Sequence, residues 1–445
     1  MKARLFAFAL ITCLSFVTAS GQGEQEEYIV VLKEGQSIAA INNSHSTHTL
    51  RQIPDTSIYL IASDKESDTE SLRRLKADQG LESVDTNTHM KLRSSEEASL
   101  DPGLVQQMAS LLDGTTLTTF YGTAVLKSYT DQPAVYITEL NKARNLSTGA
   151  AARVAYIDTG ADFYHPALQP WLDPGVDLVS NRTASELDGL SQAMASLLDQ
   201  QMASLLDKRF LFLLNQAMAS LLDGGNGSGA FPSELGHGTL VAGIIHLFAP
   251  EARIVPIRAF DASGNTTLFT IVDAVYRAKS LNVDVLNMSF SINEYSGVLR
   301  KAIADVQAAG IVTVASVGND ASDSKDLYPA AYPGVVGVAA TDFNDRLAGF
   351  SNFGASVSVS APGAYIISTV PGGRYAAAWG TSFSAPVVSG TIALLSSRRG
   401  HGQAESALAL TTADFIDNLN PGFEKKLGKG RINVRRALAT NSSGR

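Results

Sequence analysis

The chain has a single cysteine, Cys13, and it sits in an apolar stretch close to the N-terminus. Disulfides and thiol catalysis are therefore excluded for everything that follows it. Apolar runs of the twenty or so residues needed to cross a bilayer are also missing, so no membrane anchor is expected. Basic runs are absent too. The 35 Lys and Arg stand against 43 Asp and Glu, a formal charge of −8, which leaves nothing to follow a phosphate backbone. Nucleic acid is thus not an expected partner. The seven histidines show no metal-ligand spacing. His45 and His48 are helix-spaced but have no further ligands nearby, and read as a solvated pair.

What is present begins with an export signature: Met1, Lys2, Ala3 and Arg4, an apolar run over 5–17, then Thr18, Ala19, Ser20 and Gly21. Residues 1–20 are read as a leader, and the protein is expected to be secreted, extracellular or periplasmic. With 45% hydrophobic and 18% charged residues, the remainder suits a large core with a smaller companion. The companion is read over 27–93: a β-rich run at 28–35, a strand at 57–62, a helix at 69–79 and a last strand at 81–92. Residues 94–132 read as a linker.

An octamer, Gln-Gln-Met-Ala-Ser-Leu-Leu-Asp, occurs at 106–113 and recurs almost unchanged at 192–199, 200–207 and 216–223, with a decayed copy at 208–215 that keeps the two leucines in register. Eight residues overshoot two helical turns by about 80°, so one long helix would spiral its apolar stripe. A tolerated surface insertion is the expected reading.

From 133 to 440 strand and helix signals alternate. The runs at 151–157, 252–257, 283–288, 311–315 and 335–339 are nearly continuous in apolar residues, as strands covered on both faces are. Helical patterns at 270–280 and 298–309 lie between them, which favours an α/β fold with a mostly parallel sheet and helices on both sides.

Three segments place reactive side chains at strand ends or helix starts: Ile157-Asp158-Thr159-Gly160, Gly236-His237-Gly238-Thr239, and Gly380-Thr381-Ser382 running to Pro386. In open parallel sheets such positions gather beyond the carboxyl ends of the strands. A serine hydroxyl needs an imidazole to take its proton, and the imidazole needs an anion to fix its tautomer. Ser382, His237 and Asp158 supply those parts. Pro386 is placed in the first turn of the helix that Ser382 opens, where a missing N–H costs little. Asn319 follows Gly318 in a turn after a strand and could present its amide to a developing oxyanion.

Those segments, with Val241-Ala-Gly, Leu286-Asn-Met-Ser289, Ala361-Pro-Gly363 and Gly430-Arg-Ile-Asn433, resemble the subtilisin-like serine protease (subtilase) family in order and rough spacing. The resemblance implies a three-layer α/β/α sandwich around a mostly parallel sheet, preceded by a small α+β propeptide domain of the inhibitor type. It implies a serine endopeptidase acting on polypeptide through an acyl-enzyme, with Asp158, His237, Ser382 and Asn319 catalytic and Ser289, Phe290, Ser291 and Gly318 against the substrate. No cofactor is required. Members often bind structural calcium, but no loop here is dense enough in carboxylates to assign it, and Asp162 and Asp177 read as solvated loop residues. The expected partners are polypeptide substrates and the chain's own propeptide, with the chain acting as a monomer. Two features depart from the family: the octamers lengthen the interval from Asp158 to His237, and Ser291 stands where members commonly have glycine. A blocked binding protein and an esterase-like hydrolase are the competing classes.

Overall fold

The computed structural model describes residues 26–63, 69–92, 115–180, 234–399 and 403–440. The leader and all of the octamers lie outside the described residues.

The small unit is built from β1 (Glu27–Leu32), α1 (Ile38–His45), β2 (Thr47–Gln52), β3 (Ile58–Ser63), α2 (Thr69–Ala77), β4 (Leu81–Thr86) and β5 (His89–Lys91). Its sheet runs β2-β3-β1-β4, with antiparallel pairing throughout. Successive residues of β1 point to opposite faces. Tyr28, Val30 and Leu32 enter the unit's own core with Ile41, Leu75 and Val84, while Ile29 and Val31 join the core of the large domain. The sheet is therefore buried on both faces, one of them by a different part of the chain.

The strand expected over 81–92 is divided in two. Asn87 turns the chain, its side chain donating to Glu27 at 2.6 Å and accepting from the Phe269 N–H at 2.9 Å. Beyond it, β5 leaves the small sheet and pairs with the large domain. His45 is not solvated as expected but pairs with Asp78 at 2.7 Å.

The second half of the expected linker belongs to the large domain. A hairpin, β6 (Leu117–Phe120) and β7 (Thr123–Leu126), turns through Tyr121 and Gly122, both at positive φ, the conformation that two-residue hairpin loops require. Short helical turns follow. Phe120, Val125 and Tyr129 are buried in the main core, and the Tyr129 hydroxyl donates to the Gly243 carbonyl at 2.6 Å.

The large domain contains β8 (Arg153–Asp158), β9 (Val176–Asp177), α3 (Glu234–Phe248), β10 (Arg253–Arg258), β11 (Asn265–Thr267), α4 (Leu268–Ser280), β12 (Val285–Met288), α5 (Gly297–Ala308), β13 (Val312–Ser316), β14 (Val336–Thr341), β15 (Val359–Pro362), the hairpin β16 (Ile366–Val370) and β17 (Arg374–Ala378), and α6 (Thr381–Arg399). Seven strands form one sheet in the order β15-β14-β13-β12-β8-β10-β9. Every pairing in it is parallel. Along β8, Val154 and Tyr156 face the layer of α3 and α6, and Ala155 and Ile157 face that of α4 and α5. This is an α/β/α sandwich, with β8 where the strand order switches direction.

Candidate active site

The site forms where β8 ends. Asp158 is fully buried, and its Oδ1 accepts from the N–H of Thr159 at 2.7 Å and from the Thr159 hydroxyl at 3.2 Å. His237 lies in the first turns of α3 with its Nδ1 at 2.9 and 2.8 Å from the two Asp158 oxygens. That bond fixes the ring and leaves Nε2 for the other side. Gly238 permits the approach: a Cβ there would lie 2.0 Å from the Gly160 carbonyl oxygen.

Ser382 is the second residue of α6 and is buried. Its hydroxyl donates to the Ser289 carbonyl at 3.1 Å, and no hydrogen bond joins it to His237. The next residue, Phe383, packs its ring 5.3 Å from the His237 ring.

Pro386 is not in the first turn of α6, as expected, but inside the helix. Having no N–H, it cannot donate to the carbonyl four residues back, which belongs to Ser382. The Ser289 hydroxyl takes that place, donating to the Ser382 carbonyl at 2.8 Å. Ser289 Oγ itself accepts from Asn287 at 2.8 Å, and Asn287 accepts from the Ser389 hydroxyl at 2.9 Å. All of these groups are buried, where an unpaired carbonyl would be costly. The chain of bonds ties the end of β12 to the turn that carries Ser382.

Asn319 is oriented by the same helix. Its Oδ1 accepts from the N–H and the hydroxyl of Thr381 at 2.8 and 2.9 Å, so Nδ2 is the end left for a ligand. Gly318, at φ +94°, has no room for a side chain, because a Cβ would meet Asn352 Nδ2 at 2.6 Å. Asn352 in turn donates to the Val317 carbonyl at 3.0 Å and accepts from the N–H groups of Asp320 and Ser322, each at 2.9 Å. Thr381 and Asn352 hold this loop, yet neither stood out in the sequence. Thr381 adjoins Ser382 and offered a weak signal, whereas Asn352 offered none.

A shallow pocket gathers the residues expected to meet substrate: Ser289, Phe290, Ser291 and Gly318 line it together with Ser316, Asn319, Asp320, Thr381 and Ser382. Asp158 and His237 form a pair outside that lining. The set can generate a nucleophile and hold an oxyanion. No group of three or more His, Cys, Asp or Glu able to hold a metal occurs among the described residues. Asp162 and Asp177 are not solvated, contrary to expectation. Both are buried, Asp162 accepting from the N–H of Gly372 at 2.9 Å and Asp177 pairing with Arg258 at 3.2 Å.

A parallel α/β/α sandwich with these side chains at its carboxyl edge defines the class of subtilisin-like serine proteases. The subtilase family model matches residues 149–430. The chain belongs to that family. It is 34% identical to the thermophilic serine proteinase of Bacillus sp. (strain AK1) over 286 residues, 64% of this chain and 61% of that one, so the match falls short of that relative's whole length. It is 29% identical to thermitase of Thermoactinomyces vulgaris over 307 residues, 67% of this chain and 92% of thermitase. Fervidolysin from Fervidobacterium pennivorans, a keratinolytic enzyme related to subtilisin, shares the fold with a TM-score of 0.66 at 21% identity, over 95% of this chain and 62% of that structure.

Proposed function

We propose that the protein is a secreted serine endopeptidase. Ser382 Oγ attacks the scissile carbonyl while His237 Nε2 takes its proton, and Asp158 holds the imidazole and balances its charge. Asn319 Nδ2 and the N-terminus of α6 receive the oxyanion. His237 then protonates the leaving amine, and water hydrolyses the acyl-enzyme. The observation that carries the reading is the Asp158–His237 pair packed through Phe383 against the turn bearing Ser382, with Asn319 pinned to the same helix start. The Ser382 hydroxyl must first leave the Ser289 carbonyl.

Residues 27–93 act as the propeptide and inhibitor, a reading supported by β5, which lies antiparallel on β11 of the large domain. The leader at 1–20 directs export, and the mature enzyme works as a monomer on polypeptide. Casein and short esters offered to the wild type and to Ser382→Ala test this. Hydrolysis of both by the wild type alone is expected. Turnover of esters only would make the protein an esterase, and equal activity in the variant would remove Ser382 from the mechanism.

A further inference from the structure

One residue holds Ser382 at two points. The Ser382 hydroxyl donates to the Ser289 carbonyl at 3.1 Å, and the Ser382 carbonyl accepts from the Ser289 hydroxyl at 2.8 Å. Ser289 lies one residue beyond β12, is buried and lines the pocket. The bond to the carbonyl exists because of Pro386. In an ordinary helix the Ser382 carbonyl would take the N–H of residue 386, and its place would be set by α6 itself. Proline has no N–H and its ring crowds the carbonyl four residues back, so that carbonyl is left for a partner outside the helix.

The Ser289 hydroxyl has a single proton, and two further bonds decide where it goes. Asn287 Nδ2 donates to Ser289 Oγ at 2.8 Å, and Asn287 Oδ1 accepts from the Ser389 hydroxyl at 2.9 Å. With an N–H already on Ser289 Oγ, the hydroxyl proton is left for the Ser382 carbonyl. Ser389 sets the sense of the chain, because an amide whose oxygen is taken by a hydroxyl turns its nitrogen toward Ser289. The spacing closes a circuit. Asn287 and Ser289 are two apart, the repeat of one face of an extended chain, and Ser382 and Ser389 are seven apart, about two turns along one face of α6. Asn287 and Ser389 are fully buried and Ser289 is 1% exposed, so a group deprived of its partner there keeps its full desolvation cost.

We infer that Ser289 is a positioning residue for the nucleophile and that it works as a pair with Pro386, an inference that rests on the endopeptidase reading above. Pro386 frees the Ser382 carbonyl from α6, and the Ser289 hydroxyl ties it to the exit of β12, the same segment that continues into the pocket lining at Phe290 and Ser291. The distance from the nucleophile to a scissile carbonyl lying on that segment is thereby set by one element rather than by the packing of two. A displacement of about 1 Å at a reacting atom can cost about 10²-fold in rate, so the device acts on turnover and leaves binding alone.

The experiment measures kcat and KM of the full chain on a fluorogenic peptide spanning a bond that the wild type cuts in casein. Ser289→Ala and Ser389→Ala are each made in the wild type and in Pro386→Ala, with Ser382→Ala as the blank. Pro386→Ala returns an N–H to position 386, which can take over the Ser382 carbonyl. In the wild type Ser289→Ala should lower kcat about 10²-fold with KM changed less than about threefold, whereas relative to Pro386→Ala it should lower kcat no more than about threefold. Ser389→Ala, which acts only through Asn287, should cost about threefold to tenfold in the wild type and lose that effect in Pro386→Ala. Equal losses in the two backgrounds, an unchanged kcat in Ser289→Ala, or a loss confined to KM overturns this inference and spares the endopeptidase reading. If Ser289→Ala does not fold, Ser389→Ala in the two backgrounds decides on the same terms. Absence of any cleavage by the wild type, or equal cleavage by Ser382→Ala, overturns that reading itself.

Discussion

The N-termini of α4 and α5 have caps of their own in Thr267 and Ser296 and take further acceptors from the small unit, whereas that of α6 is held wholly from within the large domain. Asp85 accepts from the Ser296 hydroxyl at 2.7 Å and from the Val298 N–H at 2.9 Å, at the start of α5. Asn87 takes the Phe269 N–H and the Thr88 carbonyl takes the Leu268 N–H, at the start of α4. At α6 the first N–H goes to Asn319, fixed by its own loop. Unpaired N–H groups and the helix dipole draw a carboxylate or an amide oxygen in every case. On the proposed propeptide reading the difference is permanence: the added acceptors on α4 and α5 would leave with the small unit, and the one on α6 would stay to aim the Asn319 amide. Apolar packing follows the same division, with Ile29, Val31, Ile58 and Leu60 of the small unit completing the core around α4 and α5.

Substitutions at the permanent end carry the largest expected effects. Ser382→Ala or His237→Ala should each lower turnover about 10⁶-fold, the magnitude known for the corresponding residues of subtilisin, with an unchanged circular dichroism spectrum. Peptidase assays check this, and wild-type rates in either variant would break the comparison at its base. Asn319→Ala should cost about 10² to 10³ in turnover, again the value known for subtilisin's equivalent asparagine. If turnover holds in that variant, the α6 cap has no part in the chemistry.

Substitutions at the removable end should change attachment and leave the chemistry alone. Asp85→Ala and Asn87→Ala each delete a cap of about 1 kcal/mol, so the processed small unit should dissociate roughly fivefold faster per substitution. Native mass spectrometry of the processed protein reads this directly. An unchanged rate would mean that the apolar face alone holds the unit.

A further effect concerns acid. His246, in α3, is fully buried, and that burial pushes its imidazole down to about 3 from 6.5. Between those values the unfolded chain binds a proton that the folded chain refuses. Its contribution to stability is thus complete above about pH 6.5 and is lost as the pH falls toward 3. His246→Leu should flatten the drop in thermal midpoint between pH 7 and pH 4.5. Because α3 belongs to the permanent body, the flattening should be equal with and without the small unit. An identical drop in the variant would show that other groups set the acid limit.

The strands of the large sheet were legible in the sequence because a strand covered on both faces is apolar at consecutive positions, as Val154 to Ile157 are. The reactive residues were legible because glycines mark the turns that carry them, and Gly160, Gly238 and Gly318 each prove sterically necessary or conformationally special. What escaped depends on partners far along the chain. The hairpin at 117–126 is too short to show a period, and only packing beneath α3 reveals Phe120 and Tyr129 as core. Pro386 looked harmless until the helix start was known, and only then does Ser289 emerge as the donor that replaces its missing N–H. Asp162 and Asp177 looked solvated because their backbone and arginine donors are 210 and 81 residues away.

The central claim is that Ser382 is a nucleophile activated by the Asp158–His237 pair. The most direct measurement treats the purified full-length chain with a fluorophosphonate probe and maps the modified peptide by mass spectrometry. The account predicts a single adduct on Ser382, abolished by His237→Ala. An adduct on another residue, or undiminished labelling in His237→Ala, would contradict it.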